Sequence, residues 1–280
     1  MDVSRFERDT AVEPIADGRY AGAIDPGWAV IDGAAPNGGY LMALAARAMR
    51  DPVPAHPDPV TLTAHFLAPP TVGEVEIAVE VLRSGRRHST VEATLSQAGE
   101  AKVRLLGAFG DLAAAEGPSR VDRRPPELPP LASCVDFTTE HERRAEAGGF
   151  PPPPIAQRFD HRMPSAVLGW TEGAPSGRGH IGGYLRWRDG SEMDTLGLLV
   201  VADCYPPAIF DAALGDIGWV PTIELTVQVR ARPSPGYLAG WFTTEAVTDG
   251  YLEEDGEVWD ASGQLVVLSR QLALASRPRR

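Results

Sequence analysis

Apolar and polar positions alternate along most of this chain with the two-residue period of half-buried strands, and twice the alternation gives way to a stretch that is apolar on nearly every side. Val75, Ile77, Val79 and Val81 interleave with Glu76 and Glu80, the pattern of an antiparallel strand with one wet face. Strand-like runs begin at Val60 (VTLTAHFLA), Glu74 (EVEIAVEVLR), Ser89 (STVEATLS) and Glu100 (EAKVRLLGAF). Ahead of them, the short extended pieces TAVEPIA and RYAGAID meet at the turn signal Asp17-Gly18. Between these groups, Asn37 to Arg50 reads NGGYLMALAARAMR. Its helix formers, with small or apolar residues on most faces, predict a helix buried almost all round.

The same order recurs in the second half. Extended pieces IAQRFDHRM and HIGGYLRWR precede the apolar run DTLGLLVVADC, a predicted helix from Asp194 that Pro206-Pro207 should stop near Tyr205. Four strands are predicted after it: TIELTVQVRAR from Thr222, YLAGWFTTEAV from Tyr237, GYLEEDGEVWD from Gly250 and QLVVLSRQLALA from Gln264. VTLTAHFLAPPTVG and IELTVQVRARPSPG align with proline and glycine at the same ends. Between the halves, RRPPELPP (residues 123–130) and PPPP (residues 151–154) favour extended, solvated chain. The expected organisation is an N-terminal repeat over residues 1–114, a proline-rich linker over 115–154 with a short helix in FTTEHERRAEA, and a C-terminal repeat over 155–280. Each repeat is then a long central helix wrapped by a curved antiparallel sheet, an α+β fold with the layout of a double hot-dog. Two unrelated α+β domains are the alternative.

Charge and composition narrow the function. Among 280 residues, 26 basic side chains face 38 acidic ones, a net charge of -12 that argues against nucleic-acid binding. With 43% hydrophobic and 23% charged residues the chain has the composition of a soluble globular protein. Its longest apolar run, Leu196 to Ala202, is broken by Asp203, so no membrane span is expected. The opening MDVSRFERDTAVEP is charged and lacks the apolar middle of a signal peptide, which points to the cytoplasm. Cys134 and Cys204 stand far apart and suggest neither a disulfide scaffold nor a zinc cluster.

Two polar residues interrupt apolar runs. Asp203 follows LGLLVVA; either it is a buried acid held by hydrogen bonds for a function, or it lies near the helix end and reaches solvent. Gln271, within LVVLSRQLALA, shares a strand face with Leu265, Val267, Ser269 and Ala273, and is either a satisfied core amide or a functional one. Thr222 is not selected by pattern, since its face continues with Glu224, Thr226 and Gln228. GRGHIG (residues 177–182) satisfies the dinucleotide spacing without the strand and helix that motif needs. DFTTEH (residues 136–141) has a hydratase-like Asp-to-His spacing but sits in the expected linker, and no GxSxG is present.

VVADCYPPAIF, VPTIELTVQVRARP and GEVWDASGQLVVLSRQLALA resemble the C-terminal half of the acyl-CoA thioesterase II family, which has a double hot-dog fold. APNGGYLMALAARAM and VTLTAHFLAPPTVGEVEIAVEVLRSGRRHSTVEATL resemble the first hot-dog of that family's actinobacterial-type branch. The resemblance implies hydrolysis of an acyl-CoA by a water that Asp203 activates and Thr222 and Gln271 position, with no metal or redox cofactor. It departs from the family in the CYPPAIF that follows Asp203 and in lacking a histidine-aromatic motif after Thr222, which bears on substrate range. It implies further that Asn37-Gly38-Gly39, the start of the first helix, brings a backbone N-H close to the ligand, unless this is only a cap and turn. For the CoA phosphates, Arg86, Arg87, His88 and Ser89 between two strands are candidates, with Arg230 and Arg232 at the matching edge of the second repeat; a solvated hairpin is the alternative. A dimer or larger assembly is also implied by the resemblance. The rival functions are an acyl-CoA-binding hot-dog without catalysis and an enoyl-thioester hydratase or dehydratase, for which no convincing His-Asp motif exists.

Overall fold

The alternating runs form strands and the two apolar stretches form helices in a computed structural model that describes residues 3–31, 34–146 and 151–276. The N-terminal half carries α1 (Arg5–Asp9), β1 (Val12–Ala16), β2 (Arg19–Ile24), a small separate pair β3 (Ala29–Ile31) and β4 (Ala34–Pro36), and the helix α2 (Gly38–Arg50). Its long strands follow as β5 (Asp58–Phe66), β6 (Gly73–Ser84), β7 (His88–Gln97) and β8 (Glu100–Gly110). The C-terminal half carries β9 (Val135–Asp136), α3 (Phe137–Glu146), β10 (Phe159–Met163), β11 (His180–Trp187) and α4 (Gly197–Val201). It ends with β12 (Thr222–Val229), β13 (Leu238–Thr243), β14 (Val247–Thr248), β15 (Tyr251–Trp259) and β16 (Leu265–Leu274).

One antiparallel 14-stranded sheet runs through both halves in the order β1-β2-β6-β7-β8-β5-β12-β16-β15-β13-β11-β10-β9, with β14 on β15. The order is the same in each half when read outward from the centre, so the two halves are structural repeats joined through equivalent strands, β5 and β12. There Leu62 faces Val227 and Thr63 faces Thr226, whose hydroxyls lie 2.8 Å apart. At the start of β5 the buried Asp58 carboxylate accepts from Arg232 Nη2 at 2.9 Å and from the Thr195 hydroxyl at 3.0 Å, a second tie between the halves. This is the double hot-dog α+β architecture.

The first half of the sheet buries one face against α2, and α4 packs on α2. Tyr40 through Ala46 of α2 are buried, and Tyr40 stacks on Trp28 with ring centroids 5.0 Å apart. Trp28 in turn meets Trp187 of the other half edge-on at 5.7 Å, so a single apolar core crosses the boundary.

Two differences from the sequence-based expectation bear on function. The helix expected from Asp194 to Tyr205 is only α4, Gly197–Val201, because the Asp203 carbonyl takes a hydrogen bond from the Asn37 side chain and the chain then meets Pro206-Pro207. In the segment expected as a linker, Leu131–Glu146 is structured: β9 extends the sheet on β10 and α3 packs against the C-terminal half, whereas residues 112–130 carry no helix or strand.

Helices α2 and α4 touch at Gly39. A β-carbon there would lie 2.4 Å from the Leu199 carbonyl oxygen and 2.9 Å from the Val200 Cα, both backbone atoms that cannot turn aside. Gly39→Ala is therefore expected to lower stability by about 1–3 kcal/mol through overpacking, outweighing the roughly 1 kcal/mol that alanine gains over glycine in a helix. A urea denaturation midpoint equal to that of the native chain would show that the helices part freely.

Candidate active site

Asn37 begins α2 as its N-cap, its Oδ1 accepting from the Tyr40 amide at 2.8 Å. That leaves Nδ2 free to reach the other half, where it donates to Asp203 Oδ2 at 2.9 Å and to the Asp203 carbonyl at 2.7 Å. The Gly39 amide donates to the same Oδ2 at 2.9 Å. Asn37, 2% exposed, thus caps the start of α2 and the end of α4 together and fixes Asp203 against the positive end of α2. Asp203 Oδ1 accepts no hydrogen bond from the described residues, and Asp203 lines the cavity beside it. Burial pushes the Asp203 carboxyl up to about 6, while the Gly39 and Gly38 amides and the Asn37 side chain hold it down.

That cavity, of about 510 Å³, opens at the seam of the halves and is lined by Asp203, Thr222 and Gln271 together, with Asn37 and Gly38 beside Asp203. Gln271 is buried on β16 opposite Leu225 and Glu254. Thr222 reaches it through an irregularity in β12: Thr222 pairs with Ala273 and Glu224 with Leu272, so the shift between them turns Thr222 onto the inner face. Its hydroxyl donates to Gln271 Oε1 at 3.2 Å. The strict alternation that grouped Thr222 with Glu224, Thr226 and Gln228 fails at that bulge.

A fourth polar side chain of the cavity was not singled out in the sequence. Glu254 sits on the buried face of β15 with Leu252, Gly256 and Val258, one of its oxygens accepting from the Ala208 amide. Burial raises its carboxyl to about 8 against that amide, and the charges of Asp203 and Glu253 add to the rise. The signal was present in the alternation Leu252, Glu254, Gly256, Val258 of the strand predicted from Gly250, but between Glu253 and Asp255 a third acid does not stand out.

The structure separates other expected residues from this place. Arg86, Arg87, His88 and Ser89 lie outside the cavity, at the opposite end of the sheet: His88 pairs with Gly110, which pairs with Asp58 at the start of β5, whereas the cavity takes Phe66 at the end of that strand. Ser89 is buried against His56 at 2.9 Å, His88 lies 3.1 Å from Arg83, and Arg232 is engaged with Asp58. Of the helix start expected near the ligand, Asn37 and Gly38 do line the cavity, but the Gly39 N-H is committed to Asp203 rather than free for an oxyanion. Phe137 and His141, in the expected linker, line the cavity as well, while Asp136 turns away to Arg162 and Arg188.

Comparison with known proteins identifies the family. Residues 24–110 match the family described as acyl-CoA thioesterase N-terminal domain and residues 122–275 that described as acyl-CoA thioesterase C-terminal domain. The chain belongs to the acyl-CoA thioesterase family. A solved structure described as a thioesterase II, from Thermobifida fusca YX, is 32% identical with a TM-score of 0.84, covering 99% of each chain. A hot-dog protein of Alicyclobacillus acidocaldarius has a TM-score of 0.82 at 22% identity, over 99% of this chain and 100% of its own. An uncharacterized Mycobacterium tuberculosis protein is 27% identical over 91% of this chain and 90% of its own length. This thioester hydrolase has, among the described residues, no helix long and apolar enough to cross a membrane.

Asn37 stabilises the charged form of Asp203, so its removal should raise that acid further. An acid limb of kcat/KM set by Asp203 is expected near pH 6 in the native chain and about one unit higher in the Asn37→Ala variant, equivalent to ~1.4 kcal/mol. An acid limb that stays in place, measured by thiol release across this pH range, would remove Asn37 from the tuning of Asp203.

Proposed function

We propose that the chain hydrolyses an acyl-CoA to the free carboxylic acid and CoA by direct attack of a water activated by Asp203 and positioned by Thr222 and Gln271. The observation that carries this reading is the meeting of three side chains at one cavity: Asp203, whose Oδ2 is clamped by Asn37 and Gly39, lines it together with Thr222 and Gln271. A thioester carbonyl is activated already, so an oriented water and a base suffice without a covalent nucleophile. The water proton passes to Asp203 Oδ1 as its oxygen bonds to the acyl carbon. The tetrahedral intermediate then expels sulfur, and the proton held by Asp203 leaves with the CoA thiolate.

Two acids of different strength serve this scheme. Asp203, at about 6, is ionised at neutral pH and accepts a proton; Glu254, at about 8, is neutral there and adds no second negative charge beside the developing oxyanion. The free thiols of Cys134 and Cys204 suit the reducing conditions of the cytoplasm, where we place the reaction, within lipid metabolism.

Asp203→Ala is expected to reduce turnover by at least about a hundredfold, with Thr222→Ala and Gln271→Ala each lowering kcat in a folded protein. Near-native turnover in Asp203→Ala, followed as thiol release, would remove it as the base. Above pH 8 the native rate should fall as Glu254 ionises, since a carboxylate there repels the charge formed during attack. Glu254→Gln keeps a neutral side chain and should abolish that fall; a decline that persists in the variant would assign it to another group.

A further inference from the structure

Rings wall much of the cavity. Phe, Trp and Tyr make up 7% of the chain, yet they are concentrated here. On one side, Phe242 meets Tyr205 with centroids 4.6 Å apart, and Tyr205 meets His161 at 4.6 Å with its ring nearly perpendicular. The wall continues from His161 to Phe137 at 5.4 Å and from Phe137 to His141 at 4.8 Å. Trp170 follows at 6.4 Å from His141, and Phe210 lies 5.0 Å from Trp170. Every one of these side chains lines the cavity.

The wall is also neutral, with polar atoms left over. Burial drives the His161 imidazole down to about 3 against the pull of Asp136 and Asp160, and burial lowers His141 as well, helped by Arg144 and opposed by Glu140. His161, 3% exposed, leaves Nε2 without a partner, and the Trp170 Nε1 is likewise unpartnered. A straight acyl chain offers such a wall only dispersion contacts. An aryl group offers edges and faces that match the offset and perpendicular geometry already adopted by the rings, and a substituent on it could meet the unpartnered N-H groups after a small side-chain shift. Among the described residues that line the cavity there is no lysine or arginine to meet an acyl carboxylate.

We propose that the preferred acyl group is aromatic: an arylacyl-CoA whose ring lies against Trp170, Phe210, Phe137 and His161. This rests on the thioester hydrolysis proposed above and names its substrate class. Much of the wall comes from α3 and from the short turn Gly169–Glu172, which places specificity in chain that precedes and leads into the second repeat's main strands.

The test compares phenylacetyl-CoA with octanoyl-CoA, which carry equal numbers of acyl carbons. The ratio of their kcat/KM values should favour the aryl thioester by about tenfold or more, the size expected from two ring contacts beyond area burial. Trp170→Ala should bring that ratio close to one. If Trp170→Ala does not fold, as judged by circular dichroism, Phe137→Leu carries the same comparison with an aliphatic side chain of similar bulk. A ratio near one in the native enzyme, or one favouring octanoyl-CoA, overturns the proposal while leaving hydrolysis standing. Should neither thioester be hydrolysed, the hydrolysis reading fails by itself, and tryptophan-fluorescence titration with the two thioesters still decides the wall: tighter phenylacetyl-CoA supports it, and equal or weaker binding overturns it.

Discussion

The hydrogen bonds from Asn37 to Asp203 join a helix start in one repeat to a helix end in the other, and the architecture around them is arranged so that this reach is possible. Nδ2 can meet the carboxylate at 2.9 Å only because α2 and α4 touch without a β-carbon at Gly39. Their contact is fixed in turn by the pairing of β5 with β12, which makes one sheet of two. An isolated C-terminal repeat would hold Asp203 without its donors, and a buried carboxylate without donors is driven toward its neutral form.

The cavity is accordingly a property of the seam. Its polar side chains come from Asn37 in the first repeat and Asp203, Thr222, Glu254 and Gln271 in the second, while the wall of rings from Phe242 to Phe210 comes from α3 and from the second repeat. The sheet contributes by register. Gln271 and Glu254 are cross-strand neighbours on the inner face, and the bulge in β12 brings Thr222 onto that face beside them. A one-residue slip of β16 would turn Gln271 outward and take its amide out of the cavity.

Within this small volume, burial acts on every acid in the same direction and the local donors separate them. Asp203 faces a helix N-terminus and an amide side chain and stays within reach of ionisation at neutral pH; Glu254 has one backbone amide and the negative field of Asp203, and stays protonated. The same burial keeps His161 uncharged. An acid that can accept a proton therefore sits next to surroundings that do not add charge, which suits formation of an oxyanion.

The sequence by itself determined the long strands, the buried helix α2, the twofold repetition and the identity of an out-of-place acid, because periodicity and the burial of apolar residues are local and additive along the chain. Val75 through Val81 needed no partner to be read as a strand, and an aspartate after Leu196 to Ala202 stood out against its neighbours. The roles suggested for Asp203, Thr222 and Gln271 came from family resemblance, and the structure adds that these side chains share a cavity. Only tertiary structure decided what depended on register and on contacts between distant segments. It set the face of Thr222, which a bulge reverses, and the burial of Glu254 inside an acidic run. It also made the Gly39 amide a donor to Asp203, carried Arg86 to Ser89 to the far end of the sheet, and enlisted Phe137 and His141 in the cavity. Each of these follows from which strand lies beside which, and a pattern read along one segment carries no term for its neighbour.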